Sequence, residues 1–105
     1  MITEKEIDKA VHWLAFNSEE AAMLRADRLY HEEYRKSLKA ILMKEHDGPV
    51  SAQEREAYAD QKYLFHLKEL KNAVFKDERN KALRHSAEIK INAYQTQSAN
   101  TRSNM

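Results

Sequence analysis

The side chains that could do chemistry in this chain are five histidines and a dense population of acids and bases, 17 Asp+Glu against 18 Lys+Arg. Histidine beside carboxylate is the raw material of metal sites and of proton transfer. A metal site inside a helical bundle wants inward carboxylates and a Glu-x-x-His pair. None of His12, His31, His46, His66 or His85 has a Glu three residues before it. None of His12, His31, His66 and His85 falls on an apolar helical stripe, so they read as solvated flank residues. Cys is absent, which removes disulfides, thiol catalysis and Cys-based zinc sites. One Gly cannot build a phosphate-binding loop, and no Gly-x-Ser-x-Gly or His-Glu-x-x-His occurs. Acid pairs such as Glu19-Glu20 and Glu32-Glu33 read as solvated faces. The residues therefore predict a protein that is not an enzyme and takes no cofactor, metal or small molecule.

Nucleic-acid chemistry has a partial basis. Residues 1–61 carry 9 Lys+Arg and 13 Asp+Glu, a net of −4, whereas residues 62–105 carry 9 and 4, a net of +5. Lys76, Arg79, Lys81, Arg84 and Lys90 lie along the basic part, with Arg102 near its end. Tyr63, Phe65 and Tyr94 are interleaved. Single-strand binders combine such bases with stacking aromatics. The alternative is an acidic arm and a basic arm that attract each other, because Glu69, Asp77, Glu78 and Glu88 interrupt the strip.

These residues have to be positioned by helices. The only Gly and the only Pro stand together in His46-Asp47-Gly48-Pro49-Val50-Ser51, near the middle of 105 residues. A sheet fold needs turn residues every dozen positions or so, and they are not here. Apolar content of 42% is too high for a disordered chain. The expected fold is all-α: a long antiparallel, coiled-coil-like helical hairpin in one domain, reversing at 47–51, with a short N-terminal helix broken off near Asn17-Ser18. Helices are expected at about 4–16, 18–46 and 52–94. Thr3-Glu4-Lys5-Glu6, Asn17 with Glu20, and Ser51-Ala52-Gln53-Glu54 each read as a capping box. Residues 95–105 are polar and aperiodic and read as a flexible tail.

The apolar stripes complete the expectation. The outgoing arm shows Ile7, Val11 and Leu14, then Ala22, Ala26, Leu29/Tyr30, Tyr34, Leu38 and Ile41. The return arm shows Tyr63, Leu67, Leu70 and Val74, then Leu83, Ala87, Ile91 and Tyr94. With the chain folded at the turn, residue i faces roughly residue 97 − i. Both arms then change face at one height, near Asn17 and the polar run 76–81. Each arm is expected to be about 65 Å long at 1.5 Å per residue. Leu64, Phe75, Ala82 and Ile89 form a further stripe. It reads either as packing under the N-terminal helix or as a self-association face of an antiparallel dimer.

The motif order is similar to that of small all-helical proteins encoded by tailed phages and prophages. Ala10-Val11-His12-Trp13-Leu14-Ala15 with Asn17-Ser18-Glu19-Glu20-Ala21-Ala22 resembles their start. Residues 47–57, Asp-Gly-Pro-Val-Ser-Ala-Gln-Glu-Arg-Glu-Ala, resemble a Glu-Gly-Thr-Val-x-x-Arg-x-Ala turn. Asn92-Ala93-Tyr94-Gln95 through Ser98-Ala99-Asn100-Thr101-Arg102 resembles a Trp-Arg-Ser-x-Asn-Ala-x-Arg tail, with Tyr94-Gln95 where the family tends to carry Trp-Arg. Such proteins have mostly no assigned function and tend to be encoded among replication and recombination genes. The resemblance implies an accessory protein of phage DNA metabolism that binds single-stranded DNA or a recombinase. The alternatives are a phage inhibitor of a host defence protein and a structural coiled-coil adaptor. No apolar run approaches membrane-spanning length, and Met-Ile-Thr-Glu-Lys-Glu is unlike a signal peptide. The expected location is the cytoplasm, that of the host if the protein is phage-encoded.

Overall fold

The computed structural model describes residues 1–104. These form four α-helices and no strand: α1 (Glu4–Phe16), α2 (Ser18–Met43), α3 (Val50–Ala59) and α4 (Gln61–Ser103). The chain is an all-α helical hairpin. It divides into two compact units: a turn unit, Met23–Asp77, and a terminal unit, Met1–Ala22 with the chain from Glu78 onward. The helices run antiparallel within each. In the turn unit Lys39 meets Glu54 and His31 meets His66; in the terminal unit Leu14 meets Arg84 and Ile2 meets Gln97. The 97 − i rule holds to within a few residues at these pairs. No helix among the described residues is long and apolar enough to cross a membrane.

The inward positions obey a stricter rule than the apolar stripes. Along α4 they are Tyr63, His66, Leu70, Ala73, Asp77, Asn80, Arg84, Ala87, Ile91, Tyr94 and Ser98, none of them exposed. Along α1 and α2 they are Ile7, Ala10, Leu14, Asn17, Ala21, Leu24, Arg28, His31, Arg35, Leu38 and Leu42, of which only Arg35 is exposed. Spacings of three and four alternate without a fault, the 3.5-residue repeat of coiled coils. The expected change of face near Asn17 does not occur. Leu29, Tyr30, Tyr34, Ile41, Leu67 and Leu83 are all exposed, Tyr34 reaching the seam only at its edge, against His66. The physical reason is that several repeat positions are polar. The repeat runs through those polar positions, and these six apolar residues lie off it.

In the turn unit the apolar core is Leu38, Leu42, Ala57 and Tyr63, with Met43 against it. Leu42 is wholly enclosed. α2 stops at Met43, three residues short of the expected end. The amides of Glu45 and His46 there bond back to Leu42 and Met43, tightening the last turn. Gly48 adopts φ 107°, a value that L side chains rarely take. Pro49 then serves as N-cap of α3, its carbonyl accepting from the amides of Ala52 and Gln53. The expected cap Ser51 is already inside the helix, because Pro49 is fixed at φ −64° beside the left-handed glycine. Gln53 instead donates its side chain to the His46 carbonyl at 2.9 Å, closing the turn.

The return arm is also interrupted where no break is expected. Asp60 leaves helical geometry at ψ 139°, and its carboxylate accepts from the Lys62 amide at 2.8 Å, capping α4.

In the terminal unit the first capping box forms as expected. Thr3 Oγ1 accepts from the Glu6 amide, and Glu6 accepts from the Thr3 amide. At Asn17 the backbone stays helical, with φ −79° and ψ −7°. The break is one residue long, and the amides of Asn17 and Ala21 keep their helical partners Trp13 and Asn17. The proposed Asn17 capping box is replaced by a side-chain bond from Asn17 to Glu20. At the other end, Gln95–Ser103 is helix and not an irregular tail. No Gly or Pro interrupts it, and the hydroxyls of Thr96, Thr101 and Ser103 bond back one turn. Gln97 holds Ile2 at two points: its carbonyl oxygen accepts from the Ile2 amide, and its amide donates to the Ile2 carbonyl.

Candidate functional site

Two polar groups sit in the seam of the turn unit. Arg28 Nη1 lies 3.1 Å from Asp77 Oδ2, with the Asp77 side chain 3% exposed, while Arg28 Nε holds Glu32 at 3.0 Å. His66 is buried, so the expectation of solvated histidines is overturned here. Its Nε2–H donates to the His31 carbonyl at 2.9 Å, which fixes the tautomer. The two rings are 5.5 Å apart, and Tyr34 packs edge-on against His66. His31 Nδ1 is enclosed with no hydrogen-bond partner. Among the described residues no cluster of three His, Asp or Glu side chains is arranged to hold a metal ion. Near the turn, Lys39 reaches Glu54 at 3.5 Å and lies over the Tyr58 ring. Hydrogen bonding with Tyr58, and then the Glu54 charge, raise its ammonium above the ordinary lysine value against the effect of burial.

The predicted basic residues do not form one strip. In the terminal unit, Arg84 is turned into the seam, where its Nη1 donates to the Leu14 carbonyl at 3.0 Å and to Asn17 Oδ1 at 2.9 Å. This follows from the junction of α1 and α2, where the Ser18 hydroxyl takes part of the Leu14 carbonyl and Arg84 the rest. Lys81 is 3.8 Å from Glu78. It precedes Lys90 by nine residues, about half a turn round α4. Arg79 and Lys90 are exposed, and Arg102 is exposed in the last turn, where a cation suits the helix dipole. In the turn unit, Lys76 lines a groove that also holds Asp27 and Glu69.

The predicted apolar face is outside. Leu64 and Phe75 in the turn unit and Ala82 and Ile89 in the terminal unit are all exposed.

The terminal unit holds a groove between α1 and α4 of about 360 Å³. Ala10 and Ala87 come from inward positions and leave the space that larger side chains would fill. Trp13 and Leu83 wall it, and Glu6, Lys9 and Lys90 stand at its edge. Trp13 is half-buried and Leu83 exposed, so the groove offers an apolar surface within a charged rim. Of the predicted contacts, only Lys90 belongs to it. The apolar stripes read from the sequence do not reveal this groove. The signal was the pair of alanines at Ala10 and Ala87, one on each side of the repeat.

Set against known protein families, curated proteins and solved structures, the chain matches none.

Proposed function

We propose that this protein is a non-enzymatic accessory protein that works by binding another protein, with the groove of Ala10, Trp13, Leu83 and Ala87 as the docking site for an apolar side-chain row. One observation carries the reading: an aromatic and an aliphatic wall stand over two alanines, edged by Glu6, Lys9 and Lys90. A partner helix with apolar anchors and flanking charges of both signs has the matching chemistry. The resemblance to phage helical proteins supplies the setting, phage DNA replication or recombination, and a recombinase as the partner class. Direct binding of single-stranded DNA is less well supported. Arg84 is committed to Leu14 and Asn17, and Lys81 and Lys90 lie on opposite sides of α4.

Trp13 is the only tryptophan, so it reports on the groove. Affinity capture from phage-infected cells is expected to return one stoichiometric protein. Trp13→Ala with Leu83→Ser should lose it while circular dichroism is unchanged. A mobility shift of single-stranded oligonucleotides at low salt, weakened by charge reversal at Arg79 and Lys90 and unaffected by the groove variant, would replace this reading with the DNA one.

A further inference from the structure

Within the turn unit, α2 presents a second row of large apolar side chains. Met23, Tyr30, Tyr34 and Ile41 are 60%, 64%, 38% and 50% exposed. Their spacing of seven, four and seven residues keeps them within about 40° of one another, and about 100° round the helix from the inward positions. The Tyr30 and Tyr34 rings are stacked, 6.0 Å between centroids and 10° between planes. Tyr34 touches His66 of α4 at its inner edge, while Met23, Tyr30 and Ile41 remain at least half exposed.

The row is symmetric about one height. Met23 and Ile41 lie nine residues either side of Glu32, and Tyr30 and Tyr34 lie two residues either side. The positions between them, Asp27 and Ser37, are five residues either side. A two-fold interface requires a surface that is its own complement. An antiparallel second α2 crossing at the height of Glu32 meets that requirement at every position. Met23 falls on the second copy's Ile41, Tyr30 on its Tyr34, and the Ser37 hydroxyl can donate to its Asp27 carboxylate. Asp27 is the only charge in the row, and it falls on Ser37. A partner of unrelated sequence would have no need of this symmetry.

We propose that the protein is a homodimer joined by antiparallel pairing of α2 through Met23, Tyr30, Tyr34 and Ile41. This uses different residues from the Trp13 groove, so either proposal stands if the other fails. The chain has no cysteine, which makes the geometry directly readable. Sedimentation of the wild-type chain is expected to give twice 12.4 kDa. Tyr30→Glu with Tyr34→Glu should return the mass to one chain with its helical circular dichroism kept. Under mild oxidation, mixed Met23→Cys and Ile41→Cys chains should give a disulfide-linked dimer, and neither chain alone should. A monomeric wild type overturns the proposal. So does cross-linking by Met23→Cys alone, or a dimer lost with Phe75→Glu and kept with the tyrosine variant.

Discussion

Arg84 occupies a repeat position where a coiled-coil seam would ordinarily take an aliphatic side chain. Its guanidinium does the work of a cap at the one-residue break: it shares the Leu14 carbonyl with the Ser18 hydroxyl and satisfies the Asn17 side-chain oxygen. Asn17 is 4% exposed, so its oxygen has little recourse to water once Arg84 is gone. An unsatisfied buried acceptor costs about 1–3 kcal/mol. Arg84→Met is expected to lower stability by about that much, and Asn17→Ala combined with it should cost less than the two changes summed. Urea denaturation of the double-mutant cycle measures both. Lys81→Met, by contrast, removes an exposed i,i+3 pair with Glu78 and should change stability by less than about 0.5 kcal/mol.

The Arg28–Asp77 pair belongs to the scale of helices, because what it fixes is the alignment of α2 against α4 in the turn unit. Removing one partner of a buried ion pair is costly, about 3–5 kcal/mol, whereas replacing both by apolar residues is often neutral or stabilising. Arg28→Leu alone should therefore destabilise strongly. Arg28→Leu with Asp77→Leu should recover most of the loss and allow the helices to slip, seen as broadened or doubled amide resonances along α2 and α4. The same residues explain what could be read without coordinates. Helix content, the reversal at Gly48, the first capping box and the approximate pairing were legible, since each rests on local chemistry. The seam was not. Hydrophobic periodicity led to Leu29, Tyr34, Ile41 and Leu67, because Asn17, Arg28, His31, His66, Asp77 and Arg84 hid the true repeat. A search for strict alternation of three and four, blind to polarity, passes through all of those polar residues. The break at Asp60 was concealed by its length, though an aspartate two residues before Lys62 is an ordinary cap. Of the candidate contacts, Lys90 was found and the groove around Trp13 was not, since alanines at facing positions leave no mark on an apolar pattern.

At the scale of the molecule, apolar burial is uneven. Leu38, Leu42, Ala57 and Tyr63 all lie in the turn unit, while the buried residues of the terminal unit are the polar Asn17 and Asn80. Local opening is easiest where few apolar contacts hold the backbone. Hydrogen exchange is expected to be slowest in residues 38–42 and 57–70, and faster by at least about tenfold in residues 4–16 and 87–103. Equal protection in both would show that polar bonds hold the terminal unit as firmly as apolar packing holds the other. A partner in the Trp13 groove should slow exchange in the terminal unit alone, and the dimer should slow it at residues 23–41. The two proposals therefore leave separate marks on one measurement.

The clasp of Gln97 on Ile2 has a topological consequence. Two hydrogen bonds, one to an amide and one to a carbonyl, bind the first residues of the described chain beside α4. A peptide linker joining the last turn of α4 to Met1 would close the backbone into a ring with little new entropy to overcome. That ring could be cut at Gly48, where the conformation is the most special in the chain and the side chain is absent. The order of helices would then be α3, α4, α1, α2, with every contact in both units kept and the sequence beginning at the point where it now turns back.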